Sequence, residues 1–185
     1  MAFWSAAGTE PRRNFKFLVT MRDLPVWIVK TVNLPEITVG AGEHKFLNHT
    51  FYFPGTVTYN EVSFTVVDAI DQDITKKILQ KFVQTGYSTP GNIDTAKESL
   101  ITKEDAVNRG LGNVIIYQLG NGGDGQDGKI GFELYNAWIS KLTFPSSLDY
   151  GNEDLSEIQV SLKYDFFNFY GNDNATEAIN GFGSN

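Results

Sequence analysis

Hydrophobic and polar positions alternate along most of this chain and seldom recur at helical spacing. In EIQVSLKYDF, Ile158, Val160, Leu162, Tyr164 and Phe166 fall on one side of an extended backbone, and Gln159, Ser161, Lys163 and Asp165 on the other. Successive side chains of a strand point to opposite faces, so the pattern predicts one long strand with one buried side. NEVSFTVVD repeats it, with Val62, Phe64 and Val66 against Ser63 and Thr65, as does RNFKFLVTM with Phe15, Phe17, Val19 and Met21. Further strands are expected over 26–34, 46–53, 114–119 and 130–139. Roughly seven strands predict a mainly β fold, a barrel or sandwich.

One stretch breaks the alternation. In DAIDQDITKKILQKFVQTG, Ile74, Ile78 and Phe82 recur every fourth residue with Leu79 and Val83 beside them. This predicts a helix flanking the sheets, capped by Asp71 or Asp73 and ended by Gly86. A second, shorter helix is expected in TKEDAVNRG, where Thr102 and Asp105 approximate a capping box and Gly110 supplies the stop. The residues between the two helices read as a connecting loop. The ends differ from the middle. Residues 1–14 form an N-terminal arm carrying Phe3 and Trp4, residues 15–169 a single β domain, and residues 170–185 a flexible tail rich in Asn and Gly. The two aromatic residues of the arm either pack back on the domain or dock on a neighbour.

Composition narrows the function. A chain of 185 residues with 41% hydrophobic content is long enough to bury a core. It has no cysteine, only His44 and His49, and a formal charge of -7, which together exclude disulfides and thiolate chemistry and argue against a phosphate-gripping surface. No apolar run is long enough to span a membrane and no leader peptide is evident, so the chain is expected to stay in the cytoplasm that makes it unless an assembly carries it out.

Candidate chemistry is sparse. GGDGQDGKI, residues 122–130, approaches the calcium-binding repeat G-G-x-G-x-D-x-U-x, but Lys129 occupies the large apolar position and the repeat stands alone. Asp124 and Asp127 are weak metal candidates, and a Gly-rich hairpin loop explains the composition more simply. His44 and His49, five apart, are expected on opposite faces of one strand and so not as joint ligands. No nucleophile elbow, phosphate loop or dinucleotide fingerprint is present, and the acidic pairs Asp71/Asp73 and Glu104/Asp105 sit where helix starts favour negative charge. No cofactor, metal or enzymatic activity is expected.

Taken in order, RRNFKFLVTM, VWIVKTVNLPEITV, HTFYFPGTVTYNEVSFTVVD with the helix after it, KIGFELYNAWISKLTF and LDYGNEDLSEIQVSLKYDFF resemble the tail tube protein of contractile-tailed phages, within the wider family that includes type VI secretion tubes. The resemblance runs from Arg12 to Phe169 and rests on the order of the segments, including the Pro54-Gly55 bend. It implies a β-barrel or sandwich with a flanking helix, acting mechanically. Hexameric rings would stack into the inner tube of a tail in the virion, with sheath and baseplate proteins as partners and DNA passing through the lumen without specific binding. An acidic lumen would repel phosphate and let DNA slide. No membrane insertion is implied. Phe3, Trp4, Pro35, Glu36, Gly40, Asp124 and Asp127 are the candidate subunit contacts, the middle three in an expected loop over 33–43. The same resemblance leaves open a baseplate tube initiator or the tube of an injection or secretion device. A reading of another class is a calcium-dependent β-sandwich binding module.

Overall fold

The polar–apolar alternation is realised as ten antiparallel strands in three sheets, seen in a computed structural model that describes residues 11–88, 91, 99–120, 129–145, 148–151 and 153–171. Strands β1 (Phe17–Thr20), β6 (Val114–Gln118), β7 (Ile130–Tyr135) and β10 (Phe166–Tyr170) form one four-stranded sheet in the order β1-β6-β7-β10. A second sheet has the order β2-β5-β9-β8, from β2 (Val29–Val32), β5 (Val62–Val67), β9 (Glu157–Lys163) and β8 (Trp138–Thr143). The third is a hairpin of β3 (Ile37–Phe46) and β4 (His49–Tyr59).

The inner faces of the two larger sheets share one core. Val19, Val114, Ile116 and Leu134 from the first sheet meet Val62, Phe64, Val66, Ile158, Val160 and Leu162 from the second, all nearly inaccessible. Each such side chain contributes about 1.5–3 kcal/mol on leaving water, and this burial drives the sandwich. Helix α1 (Ile74–Gln84) adds Ile74 and Ile78 to the same core and packs Phe82 against it, while Leu79 and Val83 face out. Its start differs from expectation. Asp73 occupies the cap position with φ 45° and makes no side-chain cap bond, and Asp71 lies in the preceding 3-10 turn. Asp68 does the capping, accepting at 3.2 Å from the Thr75 amide and also from the Thr75 hydroxyl. Gly86, at φ 106°, follows the helix as expected, and a Cβ there would stand 2.3 Å from the Leu100 carbonyl oxygen. Helix α2 (Lys103–Arg109) carries the predicted cap, with Thr102 Oγ1 accepting from the Asp105 amide at 3.1 Å.

Four predicted strands are redrawn, among them 46–53, which the turn at Leu47-Asn48 divides between the end of β3 and the start of β4. The run 158–166 is two strands: β9 belongs to the second sheet and β10 to the first, with the chain crossing between them at Tyr164-Asp165. The run 130–139 likewise breaks at Asn136 into β7 and β8, which lie in opposite sheets. Because β7 pairs with β10 and β8 with β9, the two runs form one bent ribbon that closes the corner of the sandwich. Periodicity survives a corner as long as the buried side stays buried, so the sequence pattern conceals the bend. The run 26–34 is shortened to β2 because Pro25 starts a 3-10 turn over Val26–Ile28. Phe15, expected on the buried face of the first strand, precedes it and is exposed.

Candidate assembly surfaces

The β3–β4 hairpin is the most unusual feature of the surface. With strands of 10 and 11 residues it is roughly 30 Å long, at about 3.4 Å per residue. Its strands contact chiefly each other. The Asn60 amide closes its root by donating to the Glu36 carbonyl at 3.0 Å, and Tyr59 ties it to the body by packing on Tyr164 and Phe167 with ring centroids 6.0 and 5.7 Å apart. Beyond that root the ribbon is exposed, including Ile37, Val39, Phe46, Leu47, Phe51, Tyr52, Phe53 and Val57. An isolated two-stranded hairpin is marginal in water, and so many exposed apolar side chains on one element make it a candidate interaction site.

The turn at its tip is strained. Leu47 and Asn48 connect the strands, and Leu47 adopts φ 52° while 87% exposed. A left-handed backbone costs a non-glycine residue about 1–2 kcal/mol, a cost that glycine would avoid. An exposed apolar side chain held in that conformation points to a use for the side chain.

The expected loop over 33–43 is mostly strand, because the alternation of Ile37 and Val39 continues through two glycines, Gly40 and Gly42, that obscure it in sequence. Pro35 is half-buried and Glu36 exposed at the hairpin root, whereas Gly40 lies within β3 opposite a bulge. At that bulge the register shifts between Val39 and Ala41, and the backbones approach so closely that a Cβ on Gly55 would meet the Gly40 oxygen at 3.1 Å. The Pro54-Gly55 bend is therefore a bulge inside a strand. Phe3, Trp4, Asp124 and Asp127 lie outside the described residues. His44 and His49 do not share a strand. They flank the turn, facing Phe51 and Phe46 across the ribbon, and so lie on one face where opposite faces were expected. Among the described residues no cluster of three or more His, Asp or Glu could hold a metal.

Other apolar features were not singled out by sequence. The open edges of β1 and β2 border a cavity of about 490 Å³ lined by Phe17, Val32, Leu34, Ile116 and Tyr117. Lys30 at its rim is engaged by Glu157, which also holds its ammonium pKa above the ordinary value. Beyond β8, Phe144, Leu148, Tyr150 and Leu155 are exposed. Such residues look like ordinary core positions in a sequence, and only the fold reveals that the monomer leaves them uncovered.

No family model matches this chain, and no curated protein does. Solved structures match its fold across nearly its whole length. A chain from the baseplate of the anti-feeding prophage, solved with 6-fold symmetry, superposes with a TM-score of 0.61 at 12% identity, covering 89% of this chain and 99% of that one. This chain thereby shares the fold of that baseplate chain. Two chains from an extracellular contractile injection system have TM-scores of 0.60: one from its sheath/tube terminator (16% identity, 89% of this chain and 100% of that one), the other from its sheath-tube complex (14%, 87% and 92%). These low identities explain why the shared fold is visible in the arrangement of strands while no family model matches.

Proposed function

We propose that this chain is a structural subunit that polymerises into a tube, the inner tail tube of a contractile phage tail, and that it performs no catalysis. The observation that carries the reading is the β3–β4 hairpin, whose exposed apolar side chains a solitary monomer leaves in water. The hairpin and the open β1 and β2 edges lie on different parts of one molecule, so contacts between copies are heterologous, and heterologous contacts generate closed rings or open filaments. In this reading hexameric rings stack inside a sheath on a baseplate within the virion, and DNA traverses a lumen that does not bind it specifically. The net charge of -7 suits such passage, since like charge keeps phosphates from sticking.

Negative-stain electron microscopy of the purified protein tests the proposal. Rings or tubes with a central channel are expected, and a protein that stays monomeric at all concentrations and with a tail-assembly initiator present would sink it. A second reading, the tube, initiator or terminator of an injection device, is favoured by the origin of the matched folds in an injection system and an anti-feeding prophage. Copy number per particle separates the two, because a main tube subunit is abundant and an initiator or terminator forms only a ring or two.

A further inference from the structure

The apolar side chains of the hairpin do not keep to one face of the ribbon. Strand register places Ile37, Val39 and Ala41 beside Tyr59, Val57 and Pro54 on one face of the half nearest the body. In the outer half that same face carries Glu43, Lys45 and Thr50, with Tyr52 the only large ring. The opposite face reverses the order. Near the body it shows Thr38, Thr58 and Gly40, and towards the tip it shows Phe53 opposite Gly42, Phe51 opposite His44 and Phe46 opposite His49.

The exchange happens at the bulge opposite Gly40, where β4 carries the additional residue. A bulge sharpens local twist and re-aims the side chains beyond it, and a long two-stranded ribbon already twists more than a wide sheet. The close Gly40–Gly55 approach, where a Cβ on Gly55 would press on the Gly40 carbonyl oxygen at 3.1 Å, favours glycine at the crossing.

We infer that the hairpin is buried by other copies of this chain along a diagonal surface, formed by the Val39/Val57 face near the body and the Phe51/Phe53 face near the tip and exchanging sides at the Gly40–Gly55 bulge. The inference rests on the tube reading and specifies its contact. The occupant is a second copy because of area and of charge. The exposed apolar side chains amount to on the order of 800 Å², what one partner contributes to a stable protein–protein interface. Apart from its two histidines the diagonal surface carries no acidic or basic side chain, which fits another apolar surface and not an oppositely charged partner. This molecule supplies a receiving surface between β1 and β2, where Phe17, Val32, Leu34 and Tyr117 stand among uncharged polar residues and the one charged group, Lys30, is paired with Glu157. Glu43, Lys45 and Thr50 are the complementary, solvent-facing set.

The absence of cysteine makes the surface measurable one side chain at a time. Single variants Val39→Cys, Val57→Cys, Phe51→Cys, Phe53→Cys, Lys45→Cys and Thr50→Cys are each mixed as a minor component with wild-type protein, and thiol labelling is timed before and after assembly. Labelling at 39, 57, 51 and 53 slows by about tenfold or more on assembly, since a covered thiol reacts only when the contact opens. Labelling at 45 and 50 stays within about twofold of its rate in the monomer, because those positions remain in contact with solvent. Assemblies that protect 45 and 50 as well as 51 and 53, or that leave 39 and 57 reactive, overturn the diagonal surface while keeping the tube. A wild-type protein that forms no assembly overturns both.

Discussion

Asn136 donates from Nδ2 to Oδ2 of Asp165 at 2.6 Å, joining the two points at which the bent ribbon crosses from one sheet to the other. The Asp165 amide donates to the Tyr135 carbonyl at 3.0 Å, and Lys103 of α2 donates to both carboxylate oxygens at 2.9 and 2.6 Å. One carboxylate thus ties β7, β10 and α2 together. Asn136 sits at φ 55°, a backbone region that Asn tolerates better than most residues, so its identity serves both the turn and the bond.

Replacing that carboxylate therefore loosens the corner. Asp165→Ala is expected to lower stability by about 1–2 kcal/mol in urea denaturation, a modest figure because the group is partly exposed and screened. Lys103 and then Asn136, by hydrogen bonding, hold the Asp165 carboxyl below its ordinary pKa. A depressed carboxylate adds stability that is fully present above its unfolded value near 3.9 and is lost as pH falls through the folded value. The wild type should thus lose stability below about pH 4 more steeply than Asp165→Ala, and parallel slopes in that range would remove the assignment.

Tyr164 predicts an effect at the other end of the pH scale. Its ring is buried at the crossing, its hydroxyl makes no hydrogen bond of good geometry, and burial, with Tyr59 beside it, pushes its pKa up to about 12. A phenol whose folded pKa exceeds its unfolded value contributes stability that is present below about pH 10 and disappears as pH rises through the folded value. Tyr164→Phe should match or exceed the wild type by up to about 1 kcal/mol at neutral pH, since it removes a buried unpaired hydroxyl. It should also lessen the stability lost between about pH 10 and 12. Thermal melts across that range measure both, and a large loss at neutral pH would show that the hydroxyl has a partner.

The core offers the plainest test of the fold. Leu162 is fully buried between the sheets, so Leu162→Ala should cost about 3 kcal/mol from lost transfer energy and a cavity that closes only in part. A loss below about 1 kcal/mol in denaturant titration would mean the sandwich is packed differently.

How much of this was legible follows from what each signal measures. Val62, Phe64 and Val66 alternate in sequence and are buried in the structure, because β5 is central and straight enough for period two to equal one face. Ile158 to Phe166 alternates as cleanly yet spans two sheets, because alternation records burial and not the direction of the strand. Ile37 to Phe46 was unreadable as a strand for a different reason. Its glycines carry no side chain, and its apolar positions exchange faces at the bulge, so no single alternation describes it. Gly40, expected as a contact residue in a loop, lies in the β3–β4 hairpin, where it serves the backbone.

The tip of that hairpin separates the stability of the monomer from its capacity to assemble. Leu47 holds φ 52° without the compensation of burial, so Leu47→Gly should raise the stability of the unassembled protein by about 1 kcal/mol. The same change removes an apolar side chain that would contribute about 1.5–3 kcal/mol at each contact if fully covered by a neighbour. Because every subunit of a tube repeats the contact, the critical concentration for assembly should rise by roughly tenfold or more, each 1.4 kcal/mol being a factor of ten. Thermal denaturation below the assembly threshold and sedimentation above it give the two quantities separately. A variant that is more stable and assembles as readily as the wild type would show that Leu47 lies outside the contact, leaving its strained backbone without a use.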